Sequence, residues 1–274
     1  MKKNNLFKTI LLSTVVILSS CSKNSDDDVT PVGCTVENTP MSYVFTNDGN
    51  NTVYFGGQSN RLATAKAVYD MLNEGKGSAT EVTSADITAA IDNANSKLLT
   101  KTAENDPNRT HIIEQLNSIL DGYAAISSTL ADTNIVASAG QAGWKGSYQL
   151  DARGWELDQL YAKMLIGALC LDQNAYDYLT KINIVDENDN RGYDGPDTYY
   201  TKAEHYWDEA FGYTYGMDGD ITVPEISGCN FLGKYLTKHN GIDYSGSNWK
   251  QDAYDAYKLG RQAIVENCQD EIDR

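Results

Sequence analysis

From Leu62 onward, apolar residues recur three or four positions apart, and this spacing sets the fold class. Residues so spaced share one face of a helix, and each such stripe needs a second element to cover it. Leu62, Ala65, Tyr69 and Leu72 form the first stripe, which stops near Gly75 and Gly77. Ile87, Ala90, Ile91, Ala94 and Leu98 form the second, behind a Thr83/Ser84 cap. The third runs from Ile112 to Ile126, entered through Asp106-Pro107-Asn108, and the fourth from Leu157 to Ala168. Further helices are expected over Ala175–Ile182, Lys202–Tyr213 and Asn230–Lys238. A last one is expected from Ser247, a favourable N-cap, through Ile264. The expectation is an all-α, antiparallel helical bundle. Ahead of it, Tyr43-Val44-Phe45 and Val53-Tyr54-Phe55 flank the turn sequence Asn47-Asp48-Gly49-Asn50, so a small N-terminal β-hairpin is expected.

The start of the chain reads as an address. Lys2, Lys3 and Lys8 precede the apolar run Ile10–Leu18, which is too short to span a bilayer. Leu18-Ser19-Ser20-Cys21 then resembles a bacterial lipobox, so residues 1–20 read as a lipoprotein signal peptide and Cys21 as the lipidated residue. Residues 21–40 read as an acidic, flexible tether, and 41–274 as the helical domain. The Ser-plus-acidic run Ser22–Asp28 resembles the export signal of Bacteroidetes surface lipoproteins. The expected location is the outer membrane, facing out, with the membrane met through a lipid anchor. The helical pattern still runs at Glu271–Arg274, which fits either a piece of a longer chain or a last helix that frays.

Composition narrows the function. The net charge of -16 repels phosphate backbones, so nucleic acid is excluded as a general partner. The 18 tyrosines against 5 phenylalanines suit half-wet surfaces and pockets. In an exported chain, Cys34, Cys170, Cys229 and Cys268 fit two disulfides in any of three pairings, and Cys170, inside an apolar run, fits a buried thiol equally well. No catalytic residue is assigned: the chain has no His-Glu-x-x-His, Gly-x-Ser-x-Gly or phosphate-loop motif, and a hydrolase is a remote alternative.

Candidate sites remain. His205, Asp208 and Glu209 stand at i, i+3 and i+4, spacing that lets one helix face offer an imidazole and carboxylates to iron or another divalent metal. His111, Glu114 and Glu156 are the candidate helpers from other helices. The alternative is a buried hydrogen-bonded His205/Asp208 pair that fixes helix packing. Asp186, Asn188, Asn190, Asp194 and Asp197 occupy positions 1, 3, 5, 9 and 12 of a calcium-loop spacing, with Arg191 where the turn glycine belongs. Tyr193, Tyr199, Tyr200, Tyr206, Trp207, Tyr213 and Tyr215 either line a pocket for a planar or sugar-like ligand or pack bundle ends.

Four blocks carry a family resemblance. They are Gly57-Gln58-Ser59-Asn60-Arg61-Leu62, Gly140-Gln141-Ala142-Gly143, Glu156–Ala168 with Lys163, Gly167 and Ala168, and His205–Tyr213. Together they resemble a lipoprotein domain family of unknown function from Bacteroidetes and marine bacteria, often found beside imelysin. The resemblance implies an imelysin-like fold, further helices past Arg274 and a link to iron uptake. Ala203, His205 and Asp208 align with the Gly-x-His-x-x-Glu pattern of imelysins, with Ala for Gly and Asp for Glu. On these blocks Tyr206, Trp207, Tyr213, Gln58, Arg61, Gln159 and Lys163 are the candidate ligand pocket. The function expected is a non-catalytic surface lipoprotein that binds metal or another ligand for outer-membrane uptake machinery. The alternative is a structural or partner-docking surface protein.

Overall fold

The computed structural model describes residues 33–74, 80–92, 96–188, 190–217, 219–222, 231–238 and 248–273. The signal peptide, Cys21, Cys229 and Ser247 lie outside them. The described chain from Cys34 on is mostly helical and forms one unit.

A hairpin opens it. β1 (Thr46–Asn47) pairs antiparallel with β2 (Asn50–Asn51). Asp48 and Gly49 take φ of +49° and +79°, the left-handed pair that a tight two-residue turn requires. The ladder is shorter than the two apolar runs suggest. Tyr43 and Phe45 are buried in the core instead of lengthening a sheet.

The helices follow: α1 (Gly56–Glu74), α2 (Ser84–Ile91), α3 (Leu98–Lys101) and α4 (Arg109–Leu130). Thr83 caps α2 in a reciprocal box with Asp86. Next comes a second hairpin, β3 (Gly143–Lys145) with β4 (Tyr148–Leu150), which the sequence does not announce because its strands are three residues each. Gly146, at φ +63°, opens its two-residue turn. Gly143 is required there: a Cβ would lie 2.6 Å from Ile135 O and 2.8 Å from Ala137 N.

α5 (Leu157–Leu165) continues without a break to Lys181, but its turns widen to π-helix at Ile166–Leu171 and Asn174–Tyr178 and tighten over Leu179–Lys181. The sequence suggests two separate α-helices here. The widened turns rotate the side chains, and Asn174, Asp177 and Tyr178 end up buried. The remaining helices are α6 (Ile184–Glu187), α7 (Lys202–Tyr215), α8 (Leu232–Lys238), α9 (Trp249–Val265) and α10 (Gln269–Ile272).

α7 is the axis of the domain, with residues of both its faces buried. It meets α9 antiparallel: Asp208 lies against Arg261, and Tyr215 against Tyr254 and Lys250. α1 meets α5 antiparallel as well, through Ala65 with Tyr161 and Tyr69 with Gln159. By contrast, α1 and α7 meet in the same sense, since Gln58 reaches Glu209 and Arg61 reaches Tyr213. The bundle is therefore not antiparallel throughout.

Many tyrosines serve the core. Tyr123, Tyr161, Tyr215 and Tyr254 are at most 2% exposed. Each phenol donates to a main-chain carbonyl of another segment: Leu72, Ala65, Lys250 and Ile221 respectively. A buried phenol thus packs like phenylalanine and cross-links two elements. Cys34 and Cys268 form a disulfide that ties the start of the unit to the turn after α9. Cys170 is a buried thiol.

Candidate functional site

Thr201 starts α7. Its hydroxyl accepts from Glu204 N at 3.2 Å, and the Glu204 carboxylate accepts from Thr201 N at 2.9 Å. This capping box leaves Glu204 pointing inward, 1% exposed. One turn on, Asp208 is fully buried on the same face. Both meet Arg261 of α9, itself fully buried. Arg261 Nε donates to Asp208 Oδ1 at 3.0 Å. Its Nη1 lies 3.1 Å from Glu204 Oε1, close enough for an ion pair but short of hydrogen-bond geometry. Its Nη2 donates to Thr52 Oγ1 at 3.0 Å.

The hairpin arm closes this cluster. Tyr43 OH donates to Asp208 Oδ1 at 2.7 Å and Tyr54 N to Asp208 Oδ2 at 3.1 Å. The Tyr43 ring stacks on Phe211 at 3.7 Å and 7°. Phe45 lies under the Arg261 guanidinium at 4.8 Å. Arg191 Nη1 adds a second cation on Glu204 Oε2 at 2.8 Å. Two buried carboxylates thus face one buried guanidinium, Arg261, and one at the surface, Arg191. Burial lifts the Asp208 carboxyl to about 6, against the pull of Arg261 and Tyr43. Burial opposes the charge on Arg261 too, but Asp208 and Glu204 outweigh it and hold the guanidinium protonated.

His205 faces the other way. Its ring stacks on Tyr200 at 4.8 Å and 10°, with Tyr54 at 5.9 Å and 22° and Tyr193 at 5.8 Å. Its Nε2 lies 3.6 Å from Asp194 Oδ2 and 3.6 Å from Glu209 Oε2. Its Nδ1 is buried and has no hydrogen-bond partner among the described residues. Asp194 Oδ2 accepts from Tyr200 OH at 2.8 Å, and burial, then Asp194, push that phenol's pKa up. Beside this stack opens a cavity of about 390 Å³, lined by Asn51, Val53, Tyr54, Asp194, Asp197, Thr198, Tyr199 and Tyr200.

The expected metal set is therefore split. Glu209 stays near His205, and its other oxygen accepts from Gln58 Nε2 at 2.6 Å. Asp208 turns instead to Arg261 and the hairpin: it is about 100° round the helix from Glu209, on the side it shares with Glu204. His111 and Glu114 lie on the exposed face of α4, and Glu156 immediately precedes α5. Among the described residues, no three His, Cys, Asp or Glu side chains converge as metal ligands.

The calcium-spaced residues also part company. Asn188 is drawn off by Ile264 O, Asn267 and Thr201, while Asp194 binds Tyr200 and Asp197 lines the cavity. Asn190 is exposed and the Asp186 side chain lies outside the described residues. Arg191 bridges the loop internally, from Tyr199 O to Glu204. A guanidinium there competes with any bound cation.

The expected ligand pocket divides in four. Gln58, Arg61 and Tyr213 are buried in the α1/α7 contact. Trp207 is buried against α9, its Nε1 donating to Tyr257 O at 2.8 Å. Tyr206 packs near Tyr178 and Tyr193 beneath Lys202. Lys163 bonds Gln159, and Gln159 bonds Tyr69, which is eleven residues, or about 16 Å, along α1 from Gln58.

Arg261, Glu204, Tyr43 and Tyr54 were not singled out by sequence reasoning. A signal existed for Arg261. It stands four after Tyr257 and three before Ile264, a charged residue on the buried stripe of α9.

Fold and site define a class: a mostly helical domain whose central helix carries a buried ion cluster, with an open tyrosine-lined cavity between the hairpin arm and the loop before that helix. The chain belongs to the family described as Domain of unknown function (DUF4856), whose model matches residues 40–274. No curated protein and no solved structure gives a significant match.

Proposed function

We propose that this chain is a non-catalytic surface lipoprotein, anchored at Cys21, that binds a ligand as part of an uptake system. Imelysin-like ancestry and a link to iron or metal uptake belong to the same proposal and rest on the sequence blocks. One observation carries the binding reading: the cavity of about 390 Å³ beside His205 exposes Tyr54 and Tyr199 while Tyr200 and His205 back it. That volume lies within the usual range of small-molecule sites, and aromatic walls with a few polar groups are their usual lining.

Two measurements test it. Elemental mass spectrometry of wild type beside His205→Ala decides the metal arm. A near-stoichiometric metal lost in the variant makes His205 a ligand, and no metal in either rejects that arm. A thermal-shift screen of small metabolites, repeated on Tyr199→Ala, decides the rest. A hit that disappears in the variant supports binding at the cavity, whereas a screen with no hit rejects the binding reading. The anchor is tested by Cys21→Ser, which should move the protein from the membrane to the soluble fraction.

The structural alternative has its own observation. Asp208, Glu204 and Arg261 are at most 1% exposed and pair with one another, and Asp208 and Arg261 also bond the hairpin arm. For those residues a packing role fits best.

A further inference from the structure

The cavity beside His205 has a one-sided chemistry. Two of its lining residues, Asp194 and Asp197, are acids, and three, Tyr54, Tyr199 and Tyr200, are phenols. The others are Asn51, Val53 and Thr198, so no lysine, arginine or histidine is among them. Arg191, just ahead of the loop that lines the cavity, already pairs with buried Glu204 and with Tyr199 O. Lys202 is likewise taken by Glu187 at 2.6 Å. Among the described residues Asp197 is in no ion pair and Asp194 has only the His205 imidazole, at 3.6 Å, as a basic neighbour, so the site is acidic on a protein of net charge -16.

The aromatic walls say which kind of cation suits it. Tyr54, Tyr200 and His205 form a stack, with Tyr54 and Tyr200 20° from parallel at 5.9 Å. Tyr54 and Tyr199 are 51% and 40% exposed, so ring surface is open to a ligand. A hard divalent ion needs six or more oxygens at close range. Tyrosine faces offer it little, and the described carboxylates do not converge on one point. An alkylammonium group is the better match. It is large and weakly hydrated, it binds ring faces through their quadrupole, and a carboxylate at the rim supplies the countercharge.

We infer that the cavity between the β2 arm and the 194–200 loop binds a small molecule carrying an alkylammonium group, held on Tyr54, Tyr199 and Tyr200 with Asp194 and Asp197 as its countercharges. Asp194 is braced by the Tyr200 hydroxyl, while Asp197 is exposed. The inference rests on the binding reading above and names its ligand class.

The test is ligand-observed NMR and calorimetry on the purified protein with three probes: choline, its neutral isostere 3,3-dimethyl-1-butanol, and methyl glucoside. Asp197→Asn and Tyr199→Leu are the variants, because both side chains are exposed and should leave the melting temperature unchanged. Choline should bind about ten-fold or more tightly than the isostere, and each variant should weaken it by about that factor. Its affinity should also fall as salt rises. Equal binding of the isostere, or tighter binding of methyl glucoside, overturns ammonium recognition but leaves a ligand-binding cavity standing. No binding of choline also overturns it, and the metabolite screen then decides the binding reading separately.

Discussion

Asp208 is the residue on which most of the site's contacts meet, and its protonation has a measurable sign. Its carboxyl titrates at about 6 in the folded chain against 3.8 for an ordinary aspartate, chiefly through burial. A raised folded value means that the native state binds the extra proton between those limits. The group's contribution to stability is therefore fully present below about pH 4 and is lost as pH rises through about 6, a swing on the order of 3 kcal/mol. Denaturant titrations of wild type and Asp208→Asn should show wild type losing ground to the variant over that interval. Parallel profiles would rule the effect out. Gly260 makes a steric prediction at the same scale. A Cβ there would sit 2.0 Å from Trp207 Cζ2, so Gly260→Ala must displace an indole whose Nε1 is bonded to Tyr257 O. The expected loss is about 2–3 kcal/mol, seen as a lower denaturation midpoint with an unchanged slope.

Among the elements, α7 depends on its start. The Thr201 hydroxyl both caps the helix and donates to Asn188 Oδ1 at 2.6 Å, joining α7 to the loop before it. Thr201→Ala should cost about 1–2 kcal/mol, and Thr201→Ser should recover most of it because the hydroxyl does both jobs. Equal losses in the two variants would mean that the Thr201 methyl, not the cap, matters. Most helices were legible as apolar stripes: α1, α4, α7 and α9 fall close to the ranges that spacing implies. The π-helical turns of 166–178 were not. Periodicity reports which face is apolar, and a helix that adds a residue per turn changes that face without changing composition. The second hairpin escaped for a different reason, since alternation over three residues is too short to distinguish from a loop.

Across the whole molecule, the Cys34–Cys268 bridge joins positions 234 residues apart. It holds the segment leading to Tyr43 against the end of α9, over the Asp208–Arg261 cluster. Replacing both cysteines by serine should cost roughly 2–5 kcal/mol, read as a lower melting temperature under oxidising conditions only. A variant that melts with wild type under both oxidising and reducing conditions would show that the bridge contributes nothing. The sequence alone determined the helical class, the N-terminal turn and the candidacy of His205, because spacing, turn chemistry and residue type are local properties. Tertiary structure alone decided the rest. Asp208 and His205 are three residues apart, yet one faces an arginine 53 positions away and the other a tyrosine stack. Which of two neighbouring helix positions meets a charge and which meets a cavity depends on what other segments bring to each side, and that information is spread from Tyr43 to Arg261.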